Sequence, residues 1–395
     1  MIGVFFNARR DQGGLYQYAL SMVHALACHR GKHEYVIFNA TASPLPLRIG
    51  KARARVVDLP GSEVRLRQTL EYVLMIAARA GLRRRLAVLP EYSSIRAVGP
   101  DLMVYVKPSV LSFLWGYPSV FPVHDLQHLF QPQFPEVSAY GEVSRREYIL
   151  RNAIPKAAAV LADSPMGRED IIKIYGAKAE HVHSLPHLAP SYLSRNVNPA
   201  DVLRVRLKYS LPEQYFFYPA VFWRHKNHAC LLRAMSLLRA REPTAPDLVF
   251  AGSRTRQYRN LVAQAHVLGL EDHVRFIGYV PDDDIPPLYR NAVALVMPTF
   301  FGYTNTPCIE AWAYECPVIT STARGIPEHV GDAALVVHPE DPSELADSME
   351  RAWKDLSLRE TLIEKGKGKV AQWTPRDFGA RLEDILDSCL GHLDR

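Results

Sequence analysis

ALVMPTFFGYTNTPCIEAWAYECPVIT, residues 294–320, passes from strand to loop to helix to strand in one continuous stretch. The apolar run through Met297 breaks at Pro298, a Gly/Thr/Asn loop follows, and Pro307 opens a helix where the missing N–H is no loss. A second β-branched run, Val318–Ser321, comes after the helix. Strands joined through a helix pair in parallel, so this stretch sets the class as α/β.

The same alternation extends outward on both sides. Strand candidates are Ile2–Phe6, Tyr35–Phe38, Arg55–Leu59, Met103–Val106, Val120–His124, Ala158–Ala162 and His181–Leu185 in the first half. Tyr215–Val221, Leu248–Ala251, Val274–Ile277, Ala292–Met297, Val318–Ser321 and Ala334–Val337 follow in the second. At 395 residues the chain exceeds what one core usually supports. Between the two sets, PHLAPSYLSRNVNPADV from Pro186 onward is rich in Pro, Ser and Asn and aperiodic. The expected organisation is two doubly wound Rossmann-like domains, residues 1–195 and 196–372, facing a central cleft, with a C-terminal amphipathic helix in 373–395 crossing back to the first. Ligands in such sheets bind at the carboxyl ends of the strands.

Composition narrows the function classes. Apolar residues make up 48% and charged residues 22%, ordinary for a folded globular chain. The net charge of +6 is uneven: residues 1–195 hold 24 Lys+Arg against 15 Asp+Glu, and the remainder 23 against 26. The densest basic groups are Lys51, Arg53 and Arg55, then Arg65, Arg67, Arg79 and Arg83–Arg85 around the apolar stretch Tyr72–Ala78. Such a surface suits peripheral contact with an anionic membrane, and equally a solvated helix face. No zinc-finger spacing, aromatic RNA-binding motif or basic tail accompanies it, so nucleic acid is not the expected partner. Five scattered cysteines without C-x-x-C pairing argue against a disulfide framework or zinc site and for a cytoplasmic setting. The start MIGVFFNARR is too short an apolar run for a signal peptide.

Four places carry candidate chemistry. Gly13 and Gly14 precede an apolar-periodic helix; they allow close approach of a ligand to helix N–H groups, or make a plain turn. G-x-G-x-x-G is absent, so the dinucleotide fingerprint is missing. His124 ends the strand SVFPVHD, where an imidazole donates to a sugar hydroxyl or phosphate with Asp125 to orient it, or is satisfied within the structure. His128 reads as packing. Arg224, His225, Lys226, Asn227 and His228 crowd a strand-to-helix turn, where positive charge and exposed N–H groups make a diphosphate site. Glu310 falls in the first turn of its helix, placed either to accept ribose hydroxyls or simply to favour the helix dipole. Gly252, Gly278 and Tyr279 end strands where loops line a base or serve as structural turns; Gly325 and Glu328 in STARGIPE border the phosphate pocket, or Glu328 simply starts another helix.

FWRHKNH, VRFIGYVPDDDIPPLYRNA and PTFFGYTNTPCIEAWAYECPVITSTARGIPE, with GGLYQYA and VHDLQHL in support, resemble the family 4 type of glycosyltransferases of GT-B architecture over nearly the whole chain. The resemblance implies that Lys226 holds donor phosphates, Glu310 binds the nucleotide ribose, His124 contacts the donor sugar and aids catalysis, and Gly13 and Gly14 approach the phosphates. Arg224 is the nearest match to the family's upstream arginine, with Trp223 beside it. Many members carry two glutamates eight positions apart; here Gly302 stands at the first. FGYTN resembles a variant subset in which Thr304, Asn305 and Thr306 take over the sugar contacts.

The implied reaction is a retaining, metal-independent transfer of a hexose-type sugar from a nucleoside-diphosphate sugar to a glycan or lipid-linked acceptor. It calls for no cofactor, and domain closure keeps water from competing. Surface polysaccharide synthesis, on the inner face of the plasma membrane, is the expected setting. A nucleotide-sugar epimerase of the same fold consumes no acceptor; a non-catalytic nucleotide-sugar-binding scaffold turns over nothing. Product analysis separates the transferase from the epimerase, and donor hydrolysis without acceptor counts against the scaffold.

Overall fold

The computed structural model describes residues 1–29, 31–41, 43–46, 54–61, 64, 93–190, 193 and 196–393. Of the basic groups only Arg55 lies among them; Lys51, Arg53, Arg65, Arg67, Arg79, Arg83–Arg85 and the Tyr72–Ala78 stretch fall outside the described residues. Contacts divide the chain into a first unit of residues 1–133, 137–191 and 374–395 and a second of residues 134–136 and 192–373.

The first unit is built on a seven-stranded parallel sheet. Its strands are β1 (Ile2–Phe6), β2 (Tyr35–Asn39), β3 (Ala54–Asp58), β4 (Leu102–Tyr105), β5 (Ser119–Val123), β6 (Ala159–Ala162) and β7 (Val182–Ser184), in the order 3-2-1-4-5-6-7. Central β1 is buried along its whole length, with Val4 opposite Ile37 of β2 and Val104 of β4. A strand covered on both faces needs an unbroken apolar run, which IGVFF supplies. The helices used below are α1 (Gly14–Cys28), α2 (Glu142–Ala153) and α3 (Pro165–Tyr175).

The second unit has a six-stranded parallel sheet of β8 (Tyr215–Pro219), β9 (Asp247–Ala251), β10 (Val274–Gly278), β11 (Ala294–Met297), β12 (Val318–Ser321) and β13 (Leu335–Val337), ordered 10-9-8-11-12-13. Phe216 of β8 pairs with Leu248 and Ala294, and the buried aromatics Tyr215, Phe216, Phe217 and Tyr218 fill the space beneath the helices. Those helices include α4 (Pro199–Lys208), α5 (His228–Arg241), α6 (Ile285–Asn291) and α7 (Thr306–Ala313). α4 starts on a capping box in which Asn198 accepts from the Asp201 N–H at 3.0 Å, the first turn closing its own donors. The last helix, α8 (Pro375–Leu393), belongs to the first unit and packs on α1.

All thirteen strand candidates are strands, with ends displaced by two residues or fewer. Among the described residues no helix is long and apolar enough to cross a membrane. None of the five cysteines is paired.

Candidate active site

In the second sheet the strand order reverses between β8 and β11. Chain leaving the two strands there turns away to opposite faces, so the loops after β8 and β11 border an opening at the carboxyl edge. Arg224–Lys226 follow β8 as one turn of 3-10 helix, and residues 298–306 follow β11. The two loops are tied together. Phe300 donates its N–H to the His225 carbonyl at 2.8 Å, and Thr299 Oγ1 donates to the same carbonyl at 3.2 Å. The His225 ring stacks on Phe301 at 4.0 Å, nearly parallel.

Asn227 closes the turn in the left-handed region (φ 60°), a conformation asparagine tolerates better than most residues. Its amide donates to the carbonyls of Pro298 at 2.9 Å and Pro339 at 2.6 Å. Tyr218 Oη donates to the Lys226 carbonyl at 2.9 Å, and Lys226 is half-buried beside the start of α5. The turn draws negative charge: the Arg224 N–H donates to the Glu136 carboxylate, which also lies 3.7 Å from His225 Nδ1. His228, the first residue of α5, is buried against Tyr218 and Phe222. Burial first, then the positive neighbours Lys226 and His225, push its pKa down to about 3, so it packs as a neutral ring.

Glu310 lies beyond the first turn of α7, which holds no acidic residue, so dipole capping does not account for it. It is 7% exposed and accepts from Tyr289 Oη at 2.7 Å. Tyr289, on α6, packs edge-on against Phe217. The carboxylate is thus held by a hydroxyl from a neighbouring helix and fixed in place. Asn305 is buried at the N-cap of α7 and its Nδ2 meets no acceptor, while Thr304 and Thr306 are half-buried. Tyr303 is buried against Gly325, whose Cβ position would lie 2.7 Å from the Tyr303 ring, so STARGIPE packs onto the FGYTN loop; Glu328 is exposed.

Gly252 follows β9 and Tyr279 follows β10, the next two strands on the same side of the sheet. The Gly252 N–H donates to the Gly278 carbonyl at 2.8 Å, and Tyr279 is 66% exposed. The structure therefore gathers Arg224, Lys226, Thr304, Asn305, Thr306 and Glu310 around the switch point, with Gly252 and Tyr279 along the same carboxyl edge.

In the first unit Gly13 (φ 56°) caps α1 and both glycines are exposed. His124 directly follows β5. Its orienting carboxylate is not Asp125, which instead accepts from Arg146 Nη1 of α2 at 2.6 Å and from the Gln127 N–H at 3.0 Å. Asp163, directly after β6, takes that place: His124 Nδ1 lies 3.1 and 3.2 Å from its oxygens. Burial alone would lower the His124 pKa; the Asp163 charge and contact outweigh it, and the net direction is upward. His187, just beyond β7, brings its Nε2 to 2.9 Å from Asp163 Oδ2. Sheet order brings these three together, and neither Asp163 nor His187 stood out in the sequence. The available signal was position: each follows a strand candidate at its carboxyl end. His128 is buried against Glu147 at 2.9 Å, as a packing residue.

Residues 202–369 match the family described as "Glycosyl transferases group 1". O-antigen chain mannosyltransferase B of Escherichia coli is 28% identical over 304 residues, covering 75% of this chain and 78% of that one. Among solved structures, sucrose-phosphate synthase from Thermosynechococcus elongatus superposes with a TM-score of 0.73 at 18% identity, covering 99% of both chains. Anabaena HepE in complex with UDP and glucose does so at 0.72 and 18%, covering 98% of this chain and 100% of that one. The shared architecture is GT-B.

Proposed function

We propose that this glycosyltransferase of the GT-B fold moves a hexose-type sugar from a nucleoside-diphosphate sugar to a glycan or lipid-linked acceptor, with retention and without a metal ion. The observation carrying the proposal is the position of Lys226 in the turn after β8 and of Glu310 on α7, the helix that follows the loop after β11, on the two sides of the switch point of the second sheet. As the sugar leaves, negative charge grows on the diphosphate. Lys226, Arg224 and the N–H groups opening α5 are the donors available for it, and preorganised electrostatics of this kind are often the largest catalytic contribution. Glu310, held by Tyr289, is suited to accept both ribose hydroxyls. Gly252 and Tyr279 border the base, and Thr304, Asn305 and Thr306 contact the sugar in place of the carboxylate that Gly302 lacks. The resemblance to family 4 glycosyltransferases assigns His124 a contact with the transferred sugar and Gly13 and Gly14 a contact with the phosphates. The mannosyltransferase relative and the HepE complex support a sugar nucleotide as donor. Surface polysaccharide synthesis at the inner face of the membrane fits that relative and the basic surplus of residues 1–195.

Thermal unfolding against UDP, GDP, ADP and dTDP, each without metal, tests the donor site. A nucleotide at 100 times its Kd raises stability by about 2.7 kcal/mol. One nucleotide should stabilise the wild type and fail to stabilise Lys226→Ala or Glu310→Ala. Lys226→Ala should remain folded and turn over roughly 100- to 1000-fold more slowly. Wild-type turnover in that variant removes Lys226 from the site, and indifference to all four nucleotides removes the transferase reading.

A further inference from the structure

His124, Asp163 and His187 emerge from three adjacent strands of one sheet, β5, β6 and β7. The two inner ring nitrogens share one carboxylate and lie 3.3 Å from each other. Tyr18 of α1 completes the group, its ring 4.5 Å from that of His124 and 4.7 Å from that of His187. Three buried polar atoms of this cluster meet no protein partner: the outer ring nitrogens His124 Nε2 and His187 Nδ1, and Tyr18 Oη. Leaving even one such atom unsatisfied is costly, and three on side chains whose rings pack together call for an explanation.

The separations of 2.9, 3.1 and 3.3 Å would also fit three corners of a tetrahedral metal site. Metal-bound imidazoles, however, normally pass their outer N–H to a carboxylate or carbonyl. Here both outer nitrogens lack one, whereas sugar hydroxyls both donate and accept and match an imidazole and a phenol alike.

We propose that Asp163 is a positioning residue that fixes the inner protons of His124 and His187, so that their outer nitrogens and Tyr18 Oη together form a hydroxyl-recognition site for the pyranose of the donor. The proposal rests on the reading of His124 as a donor-sugar contact and adds Asp163, His187 and Tyr18 to it. The charged groups facing His124 are Asp163, Asp125 and Arg146, with His187 and Tyr18 against its ring. Removing the Asp163 carboxylate leaves burial, the largest influence, and the Arg146 charge against the imidazolium, with Asp125 alone among these groups favouring it.

The test compares Kd for UDP-glucose and GDP-mannose with Kd for UDP and GDP by calorimetry, and the pH profile of kcat/KM for donor hydrolysis, in wild type, Asp163→Asn, His187→Ala, Tyr18→Phe and Lys226→Ala. Each of the first three variants should weaken the sugar nucleotide about tenfold and leave the free nucleotide unchanged. In Asp163→Asn the acidic limb of the profile should move to lower pH, a shift that a merely structural role would not produce. Tyr18→Phe removes a single oxygen and keeps the test decisive should Asp163→Asn fail to fold. Unchanged sugar-nucleotide affinity and an unmoved limb, with Lys226→Ala abolishing nucleotide binding, overturn this proposal and leave the functional reading intact. Nucleotide binding that survives Lys226→Ala overturns the functional reading itself. A zinc-dependent rise in melting temperature that Asp163→Asn abolishes replaces the hydroxyl site with a metal site.

Discussion

Gly302 adopts φ 130°, and a Cβ there would lie 2.5 Å from Asn305 Nδ2 and 2.7 Å from its Oδ1. The position that holds a glutamate in many resembling chains is therefore closed to any side chain while Asn305 occupies the N-cap of α7. Gly302→Glu should lower stability by about 1–3 kcal/mol through crowding and backbone strain, read as a reduced urea midpoint, and should not create a working carboxylate. A variant as stable as wild type would show that the loop relaxes freely. The gap at Gly302 was legible in the sequence, but its cause lies in a backbone angle and a neighbour three residues on, which spacing does not reveal. The same limit applies to His124. Asp125 is adjacent in sequence and Asp163 adjacent in space, and only the strand order decides between them. Gly252 has its own constraint, since a Cβ would lie 2.2 Å from the Ala220 carbonyl oxygen.

At the level of elements, short β-branched runs between helical stretches identified every strand because buried parallel strands must be apolar on both faces. Helix contacts were less legible, since they depend on which faces meet. Asp284, just before α6, accepts from Arg204 Nη1 at 2.6 Å, Lys208 Nζ at 2.5 Å and Tyr209 Oη at 2.7 Å, linking α6 to α4 and the residue after it. Burial pushes its pKa up, but the Lys208, Arg204 and Tyr209 contacts prevail and hold it at about 2. A depressed carboxylate contributes stability that is fully present above its unfolded pKa and is lost as pH falls through the folded value. Its contribution is roughly 2–3 kcal/mol at neutral pH and disappears between about pH 4 and pH 2. Asp284→Asn should accordingly cost most near pH 7 and little near pH 2, measured by urea unfolding across that range. An equal loss at both ends would show that the charge of Asp284 is not what matters.

On the scale of the molecule, the first unit is discontinuous in sequence, with α8 returning to pack Phe378, Leu382, Ile385 and Leu386 into it. α8 is held beside α1 by Glu383 on His29 and by Asp387 on Lys32 at 2.9 Å and His33 at 2.5 Å. Deleting residues 374–395 should remove hydrogen-exchange protection from α1 while nucleotide-dependent protection around Lys226 persists; loss of both together would mean that the two units do not fold separately. This return also imposes an order on biosynthesis. α8 leaves the ribosome after every residue of the second unit, so the nascent chain carries the uncovered apolar flank of α1 while the second unit is made, and the first unit closes only once the second has emerged.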